Sequence, residues 1–283
     1  MTAVERLTAR VATIGAPLCL GIDPHPDRLP ARAGRGVAGI EAFARGLIEA
    51  VADDVAAVKL NVAFFEAFGA AGWAALERTR ADVPREVVCI LDAKRGDIGT
   101  TAERYAAGIF GHLDGDAVTV SPYLGEDAIE PFLAHEGRIV YVLARTSNPS
   151  ASRLQELFVD GEPLHVRVAR WVADRWPDGR VGIVVGATAP EELVRLRATV
   201  PALPFLVPGV GAQGGDLDTA VHTAAGERVP GLVSISRGIA EASAGDDWLD
   251  AARAAARTYR RRMAEAVLHS TASAAHAAES GGS

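Results

Sequence analysis

The segment EVVCILDAKRGDIGTTAERYAAGIFGHLDGDAVTVS, residues 86–121, contains the unit from which the fold can be inferred. Residues 86–93 and 116–121 are apolar runs of strand length, and residues 101–111 between them have the apolar spacing of an amphipathic helix. Strands with near-continuous Val, Ile and Leu are typical of parallel sheets that are covered on both faces. The segment therefore predicts a strand–helix–strand unit with parallel strands.

The same unit recurs along the chain. Apolar runs of strand length occur at 18–23, 55–61, 86–93, 116–121, 138–146, 181–187, 205–210 and 231–236. Helical patterns lie between them at 40–52, 63–80, 101–111, 154–176, 190–199 and 246–268. This alternation predicts an α/β fold, a single (β/α)8 TIM barrel, with an open doubly wound sheet as the alternative. We expect one catalytic domain over residues 1–268 and a disordered Ala/Ser/Gly-rich tail over residues 269–283.

The composition excludes several classes of partner. The 283 residues carry 29 Lys and Arg against 36 Asp and Glu, a net charge of −7 (29 − 36), whereas nucleic-acid binding needs a basic face. The two cysteines lie in predicted strands with no metal or redox motif, which indicates reduced thiols and a cytoplasmic location. No metal is expected because the seven histidines are scattered, and no membrane partner is expected because prolines and glycines interrupt the longest suspicious uncharged run.

Charged residues lie at the ends of three neighbouring predicted strands, where a TIM barrel carries its working residues. Asp92 and Lys94 end the third strand two residues apart, so they are expected to share a face, and Asp97 follows in the loop. Lys59 lies near the end of the second strand and Asp23 at the end of the first. Such an array of alternating charge could hold a polar substrate. The alternative is a solvated cluster of salt bridges.

The other side of the barrel mouth has the features of a phosphate site. The seventh strand leads into PGVGAQGG, residues 208–215, and the eighth into Ser236 and Arg237. Glycines let backbone N–H groups converge on an anion, and many barrels bind phosphate in the loops after strands seven and eight. The amide of Gln213 and the charge of Arg237 would add to this grip. The pattern predicts a phosphorylated small molecule as substrate. Ser147, after the fifth strand, could bond to a polar ring edge or serve only as turn chemistry.

Two of these stretches resemble a known family. LDAKRGDIGTTA, residues 91–102, is similar to the Asp-x-Lys-x-x-Asp signature of the orotidine 5′-phosphate decarboxylases, and FLVPGVGAQGGD, residues 205–216, resembles their phosphate loop. The resemblance runs through all eight predicted strands and is nearest to the longer bacterial subgroup. It implies a TIM-barrel carboxy-lyase of de novo pyrimidine biosynthesis that converts orotidine 5′-phosphate to uridine 5′-phosphate and carbon dioxide without a cofactor. Gly99 and Ser236 depart from the proline and glycine of many relatives.

The resemblance also implies which residues carry the reaction. Lys94 would be the proton donor, Asp92 would lie beside the substrate carboxylate, and Lys59 would hold the charged array in place. Asp97, together with Ile98 and Thr101, would reach into the site of a neighbouring subunit, so that a homodimer is expected. Decarboxylation leaves an electron pair that the ring cannot delocalise, so the protein must stabilise it with fixed charge.

The remaining implied contacts bind the substrate. Asp23 and Lys59 would contact the ribose hydroxyls, and Ser147 would bond to the pyrimidine edge. The expected phosphate-binding residues are Gly211, Gln213, Ser236 and Arg237, and Pro208 is a further expected substrate-binding residue.

Two other functions remain open. One is a metal-dependent sugar-phosphate decarboxylase or epimerase on the same barrel, with Asp92 as a magnesium ligand. The other is a non-catalytic protein that binds a phosphoribosyl ligand. The complete set of Asp92, Lys94 and Asp97 argues against the latter, because a binding protein has no need for closely packed like charges.

Overall fold

The structure, a computed structural model, describes residues 1–211 and 214–280. Within these residues eight parallel strands form a closed barrel in chain order, with β8 pairing with β1. The strands are β1 (Leu18–Ile22), β2 (Ala57–Asn61), β3 (Val88–Arg95), β4 (Ala117–Val120), β5 (Ile139–Arg145), β6 (Val181–Val185), β7 (Phe205–Pro208) and β8 (Leu232–Ile235). The predicted TIM barrel is confirmed, and each predicted strand overlaps an observed one.

Helices cover the outside of the barrel. They are α1 (Ala3–Ile14), α2 (Gly36–Val51), α3 (Val62–Glu66), α4 (Gly69–Ala81), α5 (Gly99–Ala106), α6 (Glu130–Leu133), α7 (Ser152–Gln155), α8 (Leu164–Arg175), α9 (Pro190–Thr199), α10 (Leu217–Ala224), α11 (Arg237–Ala240) and α12 (Trp248–Ser280). The helix predicted over 63–80 is divided into α3 and α4, because Gly69 takes a φ of 61° that a helix cannot continue through. The helix predicted over 101–111 is α5 followed by a π-helical segment, Ala107–His112.

The connection between β5 and β6 differs most from the prediction. The single helix predicted over 154–176 is wrong, because α7 and α8 are separated by a two-stranded hairpin, Phe158–Val159 paired with Glu162–Pro163. The turn of this hairpin is Asp160–Gly161, and both residues have positive φ, 51° and 84°. Asp-Gly is a strong sequence signal for such a turn.

One end of the barrel is closed by α1. Leu7 is fully buried and belongs to the same apolar cluster as the barrel residues Ile90 and Leu232. An ion pair between Arg6 and the buried Asp116 holds the helix in place. The N-terminal end of the barrel is therefore packed, and the cavity described below lies at the opposite end.

The chain ends in the long helix α12. It packs on α2, where the rings of Phe43 and Trp248 stack with centroids 5.3 Å apart. The helix continues past His269 to Ser280, and the alanine-rich composition accounts for this by its high helix propensity. The prediction that the tail is disordered stays a prediction. None of the helices in the described ranges has both the length and the apolar character needed to cross a membrane.

Candidate active site

A cavity of about 410 Å³ opens at the carboxyl ends of the strands. This end of the barrel is the one at which TIM barrels carry their catalytic residues. The predicted site residues that line it are Asp23, Lys59, Asp92, Lys94, Ser147, Pro208, Ser236 and Arg237. The barrel thus brings both predicted halves of the site, the charged array and the loops after β7 and β8, into one space.

The carboxylate of Asp92 is the centre of the charged half. Its Oδ2 accepts a hydrogen bond from Lys59 Nζ at 2.7 Å, and its Oδ1 accepts one from Lys94 Nζ at 2.6 Å and one from Thr119 Oγ1 at 2.8 Å. The side chains of Lys59 and Asp92 are buried, whereas that of Lys94 is 51% exposed. Lys94 therefore presents its ammonium group to the open cavity while a buried carboxylate holds it.

The charges shift each other's ionisation. Burial alone would raise the pKa of Asp92, but Lys59 and Lys94 hold it well below its ordinary value. Burial alone would lower the pKa of Lys59, but Asp92 and Asp23 raise it well above its ordinary value. Burial alone would raise the pKa of Asp23, but the charge of Lys59 and a 2.8 Å hydrogen bond donated by Asn61 lower it below its ordinary value. Lys59 and both carboxylates are thus charged near neutral pH.

The end of β3 is irregular, and this irregularity places Lys94. The register with β4 shifts between Leu91 and Arg95, and Lys94 has a φ of 46°, in the left-handed region that non-glycine residues rarely adopt. Its backbone N–H donates to Thr119 Oγ1 at 3.0 Å. Asp92 and Lys94 meet as predicted, but through a bulge and not through regular strand alternation.

Thr119 is a further site residue, which the motifs do not predict. It contacts both Asp92 and the Lys94 backbone from β4 and is 1% exposed. A signal for it exists, since it is the one polar residue in the apolar strand AVTV. Other cavity residues that were not predicted include His25, Phe64, Thr146 and Ser234.

Glycines shape the loop after β7. Gly209, Gly211 and Gly214 have φ values of 97°, 76° and 86°. The Gly214 N–H donates to the Gly211 carbonyl at 2.7 Å. A Cβ at Gly215 would lie 2.5 Å from Ala187 Cβ, so the loop approaches the chain after β6 too closely for a side chain.

The predicted residue Gln213 lies outside the described residues, and Gly211 does not line the cavity.

The two departures from the family pattern have local explanations. Gly99 has a φ of 54°, which proline cannot adopt, so proline could not replace Gly99 without a change of the backbone at the start of α5. The hydroxyl of Ser236 forms a hydrogen bond with Asp23. Gly21 leaves the space for this hydroxyl because it has no side chain. A Cβ at Gly21 would lie only 2.1 Å from Ser236 Oγ.

Besides Gly211, three predicted residues that follow β3 lie outside the cavity of their own chain. Asp97, Ile98 and Thr101 do not line it, and Ile98 is 53% exposed. The carboxylate of Asp97 accepts a hydrogen bond from the Ile98 backbone at 2.8 Å.

Together, the fold and the cavity define a TIM-barrel enzyme for a small phosphorylated substrate. A glycine-rich loop and an arginine follow β7 and β8, and a Lys–Asp–Lys array ends β2 and β3 across the mouth.

The comparisons with known proteins agree. Residues 16–274 match the family described as "Orotidine 5′-phosphate decarboxylase / HUMPS family", so the chain belongs to this family. An orotidine 5′-phosphate decarboxylase of a Roseiflexus species is 47% identical over 270 residues, 94% of this chain and 97% of that protein. One of Herpetosiphon aurantiacus is 44% identical over 258 residues, 90% and 96% of the two chains. The structure of Leishmania donovani OMP decarboxylase is 37% identical with a TM-score of 0.79, covering 92% of this chain and 99% of that one. The family and the decarboxylase function that the motifs predict are confirmed.

Proposed function

We propose that the protein converts orotidine 5′-phosphate to uridine 5′-phosphate and carbon dioxide, with Lys94 as the group that protonates C6. The observation that carries this proposal is the position of the Lys94 ammonium group. It is held 2.6 Å from Asp92 and is half exposed to the cavity. A fixed cation beside an open space is what a developing carbanion requires.

The reaction would proceed in two balanced changes. The bond between C6 and the carboxylate breaks, carbon dioxide leaves, and the electron pair remains on C6. A proton from Lys94 Nζ then forms the C6–H bond, and the half-exposed amine recovers a proton from water. No ring position delocalises the electron pair, so the positive charge of Lys94 must be in place before the bond breaks.

Asp92 and Lys59 would prepare Lys94 for this step. Asp92 accepts hydrogen bonds from both ammonium groups, which fixes the direction of Lys94. The carboxylate of Asp92 would also face that of the substrate, and the repulsion between them would be relieved as neutral carbon dioxide forms. Lys59 balances the charge of Asp92 through a buried ion pair, and this pairing allows both groups to stay charged in a buried site.

The other half of the cavity would hold the substrate. Pro208, the Gly211 backbone, Gln213, Ser236 and Arg237 would bind the phosphate, Asp23 and Lys59 the ribose hydroxyls, and Ser147 the pyrimidine edge. Binding energy from the distant phosphate would align the ring against Lys94 and so raise the rate.

The charge around Asp92 favours this reaction over a metal-dependent one. Both carboxylate oxygens already accept hydrogen bonds from ammonium groups, at 2.7 Å and 2.6 Å. Two cations at this distance repel a divalent ion, so Asp92 is a poor magnesium ligand in this arrangement. We propose that the reaction uses no metal and no cofactor.

We propose that the active form is a homodimer in which Asp97, Ile98 and Thr101 complete the partner's cavity. Their position outside their own cavity supports this. The exposed apolar side chain of Ile98 also supports it, as do those of Tyr105, Tyr123 and Leu124, since all four residues follow the neighbouring strands β3 and β4.

A cytoplasmic location is part of the same proposal. Cys19 and Cys89 are buried free thiols, and burial raises the pKa of each to about 12, which keeps them unreactive. The net charge of −7 gives no support for nucleic-acid or membrane-surface partners.

The test is the loss of the orotate absorbance when purified protein and orotidine 5′-phosphate are mixed in excess chelator. The wild type should turn over, and Lys94→Ala should lose at least about a thousandfold in rate because the proton donor is gone. Uridine 5′-phosphate should still bind to Lys94→Ala, which shows that its cavity is intact. Turnover only after magnesium is added would favour the metal-dependent function, and an active Lys94→Ala would remove Lys94 from the chemistry.

A further inference from the structure

The wall of the cavity after β5 is formed by Thr146 and Ser147. Ser147 packs closely on the end of β6, since a Cβ at Gly186 would lie 3.0 Å from its backbone nitrogen and 3.1 Å from its Cβ. The Gly186 N–H also donates to the Arg145 carbonyl at 2.7 Å. The wall is thus pressed against β6 on one side, and its position depends on what holds the other.

Gln155, at the end of α7, holds the wall from that other side. Its Oε1 accepts a hydrogen bond from the Thr146 backbone N–H at 2.8 Å, and its Nε2 donates to Thr146 Oγ1 at 2.8 Å. The Thr146 hydroxyl in turn donates to Asn148 Oδ1 at 2.6 Å. Because a backbone N–H can only donate, the amide of Gln155 has one orientation that satisfies both of its bonds. We call this pair of bonds the Gln155 clamp.

The Gln155 clamp is itself anchored. His165 Nδ1 donates to the main-chain carbonyl of Gln155 at 2.8 Å, and its Nε2 lies 2.7 Å from Glu192 Oε2. The side chain of His165 is 0% exposed. His165 lies on α8 and Glu192 on α9, so two helices that cover the barrel fix the short helix that carries the clamp.

We propose that Gln155 is a positioning residue that sets the affinity of the site for the pyrimidine base. The inference rests on the proposed function, because it takes Ser147 as the contact to the pyrimidine edge. Gln155 makes no contact with the substrate itself. It fixes Thr146, and through it the neighbouring Ser147, in the place where a base edge can be bound. The phosphate half, after β7 and β8, does not depend on this clamp, so Gln155 should act on the base and not on the phosphate.

The experiment compares two ligands that share the ribose phosphate but differ in the base. Affinities for uridine 5′-phosphate and ribose 5-phosphate are measured by calorimetry on the full chain, for the wild type and Gln155→Ala. Gln155→Ala removes two hydrogen bonds. It should lower the affinity for uridine 5′-phosphate about tenfold, but the affinity for ribose 5-phosphate less than about twofold. Gln155→Glu keeps the acceptor for the Thr146 N–H and should recover most of the loss. The matched control is Glu162→Gln. Glu162 lies in the adjoining hairpin and forms a 3.0 Å ion pair with Arg170 of α8, and its replacement should change neither affinity.

Different results bear on different claims. Equal weakening of both ligands by Gln155→Ala would mean a general structural role and would overturn the proposal, as would unchanged affinities. Failure of Gln155→Glu to recover base affinity would overturn the hydrogen-bond explanation. A wild type that binds both ligands but does not decarboxylate orotidine 5′-phosphate would contradict the proposed function, whereas the ratio of the two affinities would still decide the role of Gln155.

Discussion

Asp92 is the residue on which the charge balance of the cavity depends. It lies between two ammonium groups and is itself buried, so its carboxylate is stable only because both cations are present. Its folded-state pKa lies below the value in the unfolded chain. Asp92 therefore contributes stability at pH values above about 3.9, and this contribution is lost as the pH falls through the folded-state pKa.

We expect Asp92→Asn to destabilise the fold, because Lys59 then remains buried with its strongest counter-charge removed. Breaking a buried ion pair from one side costs about 3–5 kcal/mol, so the free energy of unfolding should fall by about this amount at pH 7. The difference between variant and wild type should shrink as the pH falls below about 4, since the unfolded wild type then takes up a proton at Asp92 that the folded state binds only at lower pH. Denaturant unfolding at a series of pH values measures both effects.

The matched control for this prediction is Asp53→Asn, the same chemical change at an exposed carboxylate. It should leave stability within about 0.5 kcal/mol of the wild type. A second readout is the Nζ resonance of Lys59, which should titrate at lower pH in Asp92→Asn because burial then outweighs the remaining attraction of Asp23. A stability difference that is small at pH 7, or that grows as the pH falls, would contradict the assigned charge balance.

The number of lysines is a further signal of the site in the sequence. The sequence has only two lysines, Lys59 and Lys94, among its 29 basic residues, so the other 27 (29 − 2) are arginine. Both lysines contact Asp92 in the cavity. Arginine is always charged and cannot act as a proton donor near neutral pH, whereas an ammonium group can. A chain that uses arginine everywhere else has kept lysine at the two positions where the proposed chemistry involves an amine.

At the scale of elements, the strands were predictable and several contacts between them were not. All eight strands could be predicted because a buried parallel strand reads as a continuous apolar run with a polar end. The start of helix α1 was not predicted, although Thr2 and Glu5 form a capping box, a signal that the sequence carries. The hairpin after β5 was missed because apolar residues on both sides of Asp160–Gly161 extend the helical pattern.

Site residues that belong to a sequence motif could be predicted, whereas contacts between separate elements of the fold could not. Asp92 and Lys94 were predicted from alternation in β3, but the bulge that joins them depends on the hydrogen bond from Lys94 to Thr119. Gln155 reaches Thr146 only because α7 folds back on the end of β5. No local pattern predicts contacts of this kind, since they depend on the packing of separate elements.

The packing of α12 on the loops after β7 and β8 leads to a prediction at the element scale. A Cβ at Gly238 would lie 2.5 Å from the hydroxyl of Tyr259, and one at Gly211 would lie 3.1 Å from it. Gly238→Ala should therefore displace α11, which begins with Arg237, and weaken the proposed phosphate grip. Overpacking costs about 1–3 kcal/mol of folding stability. A loss of about 1.4 kcal/mol of phosphate-binding free energy in the transition state would lower kcat/KM about tenfold, and this is the effect that we expect. Adding Tyr259→Phe removes the clashing oxygen and should restore part of the loss.

Steady-state kinetics on the four combinations of these two substitutions measures the coupling. Gly111→Ala is the control, because a Cβ there meets no atom within 4 Å. Tyr259→Phe alone should stay close to the wild type. If Tyr259→Phe does not improve Gly238→Ala, the clash with α12 is not the cause of the loss.

At the scale of the whole molecule, the cavity of one chain lacks part of the expected catalytic set. Asp97 belongs to the sequence signature but does not line the cavity of its own chain. The loop that carries it also carries Ile98, whose apolar side chain is 53% exposed. An exposed apolar residue beside a signature carboxylate that does not line its own cavity is expected if a second copy of the chain covers this surface.

Mixing two inactive variants tests the shared site. In a dimer formed from Lys94→Ala and Asp97→Ala subunits, one site lacks both groups, whereas the other combines an intact Lys94 with an intact Asp97 from the partner. Half of the dimers in an equal, randomly exchanged mixture are mixed, and each has one intact site, so about a quarter of the wild-type activity should appear. Each variant alone, carried through the same exchange, is the control and should stay inactive. If the mixture stays inactive although size measurements show that mixed dimers form, Asp97 is not shared between subunits. An Asp97→Ala variant that is fully active alone would remove Asp97 from the catalytic set.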